Sequence, residues 1–584
     1  MKKINNKGIS LIVLIITIIV VIILAAVVIL TLSKNNPINS AKEAAFKDDI
    51  YNFKTELEVY KAKISRNGED VTKLYASKDS DPSIQDVITS ITRKYIDRIE
   101  VREGKLVYVG NDKTEYILAK DMGLLPEDEL LDDDILTELK PFVTEWTVEA
   151  GDSITLPIGG TCNFTVDYGD GTGEYKVTSN TDEDRIHKYE NAGTYTVKIT
   201  GKCEKVDFYN FYFSKDKITK IVQWGNIGVK VINFSSCSNL AGTIPEPQKN
   251  TFENTENMEN LFYQCRNITG TIPENIFKNA TKVKILKQAF RGCGVSGSIP
   301  EKLLQSCINL TSVSCIFCDC NKITGSIPAD LFKNNINITE ISAAFYNCSG
   351  LTGEIPEDLF KSVTKAGSFY GIFLGCKGLT GKIPDKLFYY NTNANTFIEA
   401  FVGCTGLSGS IPEDLFINCT KVTNFCNTFN SCSNLTGSIP ESLFKNCNKV
   451  QDFSNAFRNC KNLSGSIPEK LFINKGDVKT YSCVFCECEN LTGNIPENLF
   501  SDSPNVTSFY YAFAHCKNLS GAIPTNLFNN CNLVKNFEYT FCNCKGLNGN
   551  APELWNRDNV TAHGGCFSNC TNLSNYNNIP SGWK

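Results

Sequence analysis

Residues 432–459 read CSNLTGSIPESLFKNCNKVQDFSNAFRN, and the same text recurs from Cys237 to Lys584. The prolines of its G-x-I-P step run from Pro245 to Pro580, thirteen of them, 28 residues apart except for one step of 27. A unit this short cannot bury its own apolar side. Thirteen copies at a fixed period therefore predict a solenoid, each coil stacked on the next.

Within a copy, Leu435, Gly437 and Ile439 alternate with polar residues, which predicts a short parallel strand with one face inward. Pro440 ends it by removing a hydrogen-bond donor. Leu443 and Phe444 form a second apolar pair. Val450, Phe453, Phe457 and Cys460, three and four apart, predict a short helix. Two columns hardly vary. A Phe stands three residues before a Cys in every copy, from Phe234 and Cys237 to Phe567 and Cys570. Phe262, Phe345, Phe457 and Phe513, with Cys265, Cys348, Cys460 and Cys516, exemplify the expected inner ladder. Strands about 4.8 Å apart would give thirteen coils a length of roughly 60 Å, with Phe stacked on Phe.

Val506, Phe509, Phe513, Cys516 and Leu519 fit the V-x-x-(F/M)-x-x-x-F-x-x-C-x-x-L core of the BspA-like surface-protein repeat, and residues 231–584 resemble that leucine-rich-repeat family. The L-(T/S)-G-x-I-P piece also looks like the plant-type leucine-rich repeat. The resemblance implies surface adhesion or ligand binding rather than catalysis. Phe567 and Cys570 come two residues early in the last copy, and Trp583 closes the chain, as expected of a cap.

At 584 residues the chain predicts several domains, and 42% hydrophobic residues allow a large core. A net charge of −5 with mixed signs gives no reason to expect a nucleic-acid partner. Of the 26 cysteines, thirteen fall in the ladder column, where a small semi-polar side chain acts as a buried hydrophobe. They are expected to be reduced thiols, although stacked columns come within disulfide range. Cys307, Cys419, Cys447 and Cys531 form a partial second column, expected in or near the core. Cys315, Cys318, Cys320 and Cys483, Cys486, Cys488 have a C-x-x-C-x-C spacing that offers three thiolates to zinc. The third of each set is a ladder residue and no fourth ligand recurs, so core is the expected role.

Lys2, Lys3 and Lys7 precede an uncharged apolar run from Ile9 to Leu32, long enough to span a bilayer. Its basic flank predicts a cytoplasmic N-terminus and an exposed remainder. The stretch K-G-I-S-L-I-V-L-I-I-T-I resembles a prepilin-type leader, which implies cleavage between Gly8 and Ile9. Val13 stands where that family has Glu, so a membrane anchor is expected rather than filament assembly. A helix capped by Ser40 follows, with Ala45, Ile50, Phe53, Leu57 and Tyr60 as its stripe, ended by Asn67-Gly68. A second helix is expected over Val87 to Tyr95. Ile99, Val101, Leu106, Tyr108, Tyr116 and Leu118 predict short strands, giving a pilin-like α+β head over residues 36–124 or a plain stalk. The acidic stretch 125–140 reads as a linker.

Residues 141–230 alternate as strands. Asp167, Gly169, Asp170, Gly171, His187, Tyr189, Gly193, Tyr195 and Val197 resemble the PKD-type β-sandwich, a spacer and binding module at cell surfaces. Asp167 and Asp170 are weak calcium candidates, as hard oxygen donors in a glycine turn. The expected architecture is thus multidomain: anchor helix, small head, β-sandwich and solenoid over 231–584. His187, His515 and His563 form no spaced pair, and no phosphate loop or nucleophile elbow occurs. No cofactor and no enzymatic activity are expected. The expected function is adhesion or recognition of an extracellular protein or glycan, at the cell surface. A pilus-like or envelope component using the repeats as spacer is the alternative.

Overall fold

A computed structural model describes residues 37–66, 99–102, 105–108, 118–119, 122–124, 140–209, 214–248 and 250–584. The apolar run Ile9–Leu32, the Gly8–Ile9 junction and the expected helix at Val87 to Tyr95 lie outside them. Among the described residues no helix is long and apolar enough to cross a membrane. The chain divides into two compact units, Met1–Leu136 and Thr137–Lys584.

In the first unit, α1 (Pro37–Arg66) starts three residues before Ser40, the predicted cap. Its buried stripe is Phe46, Ile50, Phe53 and Leu57, at spacings of four, three and four; Ala45 is exposed. The stripe packs on β1 (Ile99–Arg102) and β2 (Lys105–Tyr108), an antiparallel pair whose Ile99, Val101, Leu106 and Tyr108 complete the core. Leu118, expected in a strand, sits instead in a helical turn and is buried against this core.

The second unit begins with strands β3 (Phe142–Val148), β4 (Ser153–Thr155), β5 (Ile158–Asp167), β6 (Glu174–Val177), β7 (Ile186–Lys188), β8 (Gly193–Asp207) and β9 (Ile218–Gln223). Five of them form one sheet in the order β6-β5-β8-β3-β9, while β4 and β7 pair separately. Trp146, Tyr168 and Tyr189 fill the space inside. Strand β10 (Val231–Asn233) then pairs parallel with β8, Val231 opposite Lys205, and on its other side Val231 bridges to Asn257. The sheet therefore passes into the first coils without a break in hydrogen bonding. Trp146, Phe208, Phe234 and Phe262 continue ring on ring at 5.8, 5.3 and 5.9 Å. The strand-rich residues 142–223 and the solenoid share one hydrophobic core; the PKD-type sandwich expected there rests on sequence resemblance alone.

Each coil of the solenoid is built from turns, and the helix predicted from Val450, Phe453, Phe457 and Cys460 is absent: no α-helix occurs among the described solenoid residues. The hydrogen bonds show why. The N–H groups of Ala456, Arg458 and Cys460 donate three residues back, to Phe453, Asn455 and Phe457. Those of Phe453, Asn455, Phe457 and Asn459 donate to Thr480, Ser482, Val484 and Cys486 of the next coil, at 2.8–3.3 Å. Asn455 and Asn459 have φ of 56° and 57°, so the winding reverses every fourth residue and alternate N–H groups point along the stack. The three-and-four apolar spacing reports this four-residue turn unit rather than a helix period.

A second ladder runs where the strand was expected. Pairing there is one or two residues long, as in Gly353–Glu354 with Leu379–Thr380 or the bridge Gly409 to Leu435. Pro440 cannot extend it. Inside, successive Phe rings from Phe234 to Phe567 lie 5.4–6.0 Å apart. Phe416, Phe444, Phe472 and Phe500 form a second file, and Phe425, Phe453, Tyr481 and Phe509 a third, tilted against the second at 4.6–4.9 Å. The stack ends on Trp583. Its carbonyl accepts from the N–H of Phe567 at 2.8 Å, the place the next coil would take, and its ring stacks on His563 at 4.6 Å.

Candidate functional site

The expected inner ladder is inside. Phe262, Phe345, Phe457 and Phe513, and Cys265, Cys348, Cys460 and Cys516, are fully buried. Each thiol donates to the carbonyl of a Phe in the preceding coil: Cys265 to Phe234, Cys348 to Phe317, Cys460 to Phe429 and Cys516 to Phe485, at 2.9–3.0 Å. Burial pushes Cys460 up to about 12. A thiol held neutral and inward is not a nucleophile at ordinary pH, and His515 beside Cys516 changes nothing in that. Cys307, Cys419, Cys447 and Cys531 are buried as expected.

Neither metal expectation finds a site. Among the described residues no cluster of three potential ligands forms. Cys320 and Cys488 turn inward to Phe290 and Phe457, away from the other two thiols of their motifs. Asp167 accepts from Gly169 N–H at 2.8 Å and faces Lys198 at 3.7 Å. Asp170 takes the Thr172 hydroxyl at 2.6 Å and His187 Nε2 at 2.7 Å. Both calcium candidates therefore serve the hairpin: their oxygens are used to fix the turn and to hold His187, whose ring stacks on Tyr168 at 4.2 Å. Burial raises the Asp170 carboxyl, but the bonds from Thr172 and His187 outweigh it and hold it low.

Two outer surfaces remain. Ser410, Ser438, Ser466, Asn494, Glu354 and Lys382 are exposed along the G-x-I-P ladder, as the alternation predicted. Its side chains are short and polar apart from Glu354 and Lys382. The turn face carries larger groups at the outward positions around each Phe. The Arg291 guanidinium lies over Tyr263 at 5.8 Å and faces Asp319 at 3.7 Å. Tyr370 bonds to the Glu399 carboxylate, which with burial pushes the phenol up to about 12. Farther along, Tyr511 packs between Tyr510 at 4.5 Å and Tyr539 at 4.6 Å, and Arg458 faces Glu487 at 3.7 Å. Sequence reasoning passed over these residues. Their signal was present as the columns that vary while Phe and Cys do not, but which of them point outward depends on the left-handed turns.

Residues 367–498, 395–527 and 451–583 match the family described as "Mycoplasma protein of unknown function, DUF285". No curated protein matches. Among solved structures, a leucine-rich repeat protein from Bacteroides ovatus is 17% identical, with 63% of this chain and 86% of that chain covered and a TM-score of 0.27. The Arabidopsis receptor kinase HAESA, solved with the peptide hormone IDA and the co-receptor SERK1, is 15% identical over 59% of this chain and 74% of that one, TM-score 0.17. The Drosophila Toll–Spatzle complex gives 14% identity, 56% and 54% coverage and a TM-score of 0.19. Residues 367–583 of this solenoid are thus similar in sequence to the DUF285 family.

Proposed function

We propose that this protein is a cell-surface recognition or adhesion protein, held in the cytoplasmic membrane by Ile9–Leu32, whose solenoid binds an extracellular protein or glycan. One observation carries the reading: a turn ladder hydrogen-bonded from coil to coil displays tyrosines, Arg291, Arg458 and acids at repeating columns, with Tyr370, Tyr510 and Tyr539 exposed. Aromatic faces with flanking charge supply contact area at little conformational cost. The sandwich, read as PKD-like, serves as spacer and first-coil cover. No chemistry beyond binding is assigned to the face. The test is an array of glycans and matrix proteins probed with the chain from residue 37 onward. Binding that falls at least tenfold in Tyr510→Ala or Tyr370→Ala supports it; no binding at high concentration overturns it.

A second reading, a pilus-like component with leader cleavage after Gly8, is favoured by the packing of α1 on the β1–β2 pair. N-terminal sequencing of the mature protein, with a search for it in filaments, separates the two.

A further inference from the structure

Two coils far apart in the solenoid carry the same constellation. At the position two before the column Phe, only Cys315 and Cys483 are cysteines. At the position one after that Phe, arginine occurs only as Arg291 and Arg458, each in the coil just before. At the position two after it, an acid occurs only as Asp319 and Glu487, in the cysteine coils themselves. The paired cysteines, the arginine and the acid therefore appear together, twice; Cys542 alone holds the second cysteine position without the other members. A packing role would scatter them.

The fold brings each set into contact. Cys318 N–H donates to Cys315 O, and Cys486 N–H to Cys483 O, both at 3.2 Å, so each C-x-x-C closes one tight turn. The ends of such a turn have Cα atoms under about 7 Å apart, overlapping the range a disulfide spans. The two thiols of each turn are electrostatic neighbours, and the Cys318 thiol donates to Asp319 Oδ2. Arg291 faces Asp319 at 3.7 Å, and Asp319 Oδ2 lies 3.4 Å from Cys318 Sγ. Arg458 and Glu487 repeat the pairing at 3.7 Å. Cys315 is partly exposed while Cys318 is buried; at the second pair Cys483 keeps 8% exposure and Cys486 3%, both packed with Ala514 and Cys542.

We propose that Cys315/Cys318 and Cys483/Cys486 are two redox-active dithiol sites on the outer turn face, which close reversibly into disulfides by exchange with a low-molecular-weight disulfide. The Cys315 thiolate attacks one sulfur of the incoming disulfide and expels its other half as a thiolate. Cys318 then gives up its proton, attacks the Cys315 sulfur and releases the second half. The sum is one small disulfide and two protein thiols giving one protein disulfide and two small thiols. The electrostatics assign the roles. The neighbouring Cys318 thiol brings Cys315 down to about 7, helped by Arg291 and Lys287 and opposed by burial and Asp319. Cys318 is pushed up, which suits the second step, since it attacks only once held beside the mixed disulfide. Cys483 is lowered by Cys486, with Arg458 helping and burial and Glu487 opposing. Tyr370 and Tyr511 stand beside the two sites as neutral phenols.

The test exposes the reduced full chain to glutathione buffers of varied oxidised fraction, quenches with acid, blocks free thiols and maps peptides by mass spectrometry. Both C-x-x-C pairs should oxidise and reduce reversibly, without retained glutathione, while ladder residues such as Cys460 stay reduced. Cys318→Ser and Cys486→Ser should trap glutathione on Cys315 and Cys483. Arg291→Met should slow the reaction at Cys315 about tenfold near neutral pH, with Cys483 unchanged as internal control and Arg291→Lys restoring the rate. Ladder cysteines reacting as fast as Cys315, no trapped glutathione in the Ser variants, or equal Cys315 rates with and without Arg291 would each overturn the proposal.

Discussion

The thiol of Cys488 donates to the carbonyl oxygen of Phe457, one coil earlier, at 3.0 Å, and the N–H of Cys460 donates to that same oxygen at 3.1 Å. Both lone pairs of a fully buried carbonyl are thereby used, one within the coil and one between coils. Alanine would leave a void and one unused acceptor site. Valine would add bulk without a donor. Cysteine is small, tolerates burial and carries one weak donor, which accounts for the invariance of the column.

Cys488→Ala should lower stability by about 1–3 kcal/mol, through the lost bond and the cavity together. Cys488→Ser keeps a donor and should lose less if the hydroxyl reaches Phe457. Urea unfolding followed by tryptophan fluorescence and by circular dichroism gives both values and tests whether the stack unfolds as one.

The ladder thiols predict alkaline lability. Cys460 and Cys376 are pushed up to about 12 by burial from an ordinary value of 9.0. Between those limits the unfolded chain has released these protons and the folded chain has not, so stability falls as pH rises above 9. Below 9 the contribution is complete. Unfolding midpoints should drop steadily from pH 9 upward, with thiolate absorbance appearing only as the fold is lost. Thiolate absorbance that precedes unfolding would contradict the buried ladder.

Lys475 works in the opposite sense. It replaces the buried Cys447-type residue of its coil, and burial brings its ammonium down to about 8 from 10.5. Its Nζ donates to Ile473 O at 2.6 Å. Folding therefore opposes the charged form, and stability from this group rises as pH climbs from 8 to 10.5. Lys475→Met should stabilise at pH 7 by on the order of 1–3 kcal/mol, and the gain should shrink above pH 10. Paired melts of the two proteins at pH 7 and pH 10 measure it.

Gly437 has φ of 74°, and a Cβ there would sit 3.3 Å from the Cβ of Ser410 in the preceding coil. The left-handed positions of the turn face carry Asn455, Cys483 and Tyr511, so side chains are accommodated there. Gly437 has no such room. Gly437→Ala should cost about 1–2 kcal/mol, whereas Asn455→Gly should be near neutral. Thermal melts of the two variants side by side decide it.

The Trp583 carbonyl accepts from the N–H of Phe567 as the following coil does elsewhere in the stack. Trp583→Ala removes its stacking on His563 and Phe567 and should fray the last coil first. Hydrogen exchange should then rise at Phe567 and Phe541 while Phe345 stays protected. Uniform deprotection would show that the stack behaves as one cooperative block.

The sequence by itself determined the period, the number of coils, the inner Phe and Cys files, and the alternation that put Ser410 and Ser438 outside, because burial repeats with the chain. It was silent or misleading wherever backbone handedness decides. The spacing of Phe453, Phe457 and Cys460 fits a helix equally well, and only the left-handed residues Asn455 and Asn459, which turn alternate N–H groups toward the next coil, make it a ladder. That choice rests on bonds between residues 27 apart, such as Asn455 to Ser482, which exist only once coils are stacked. The same stacking places Arg291 beside Cys315 and turns Cys320 away from Cys318, separating an outer dithiol from an inner thiol that one motif had joined.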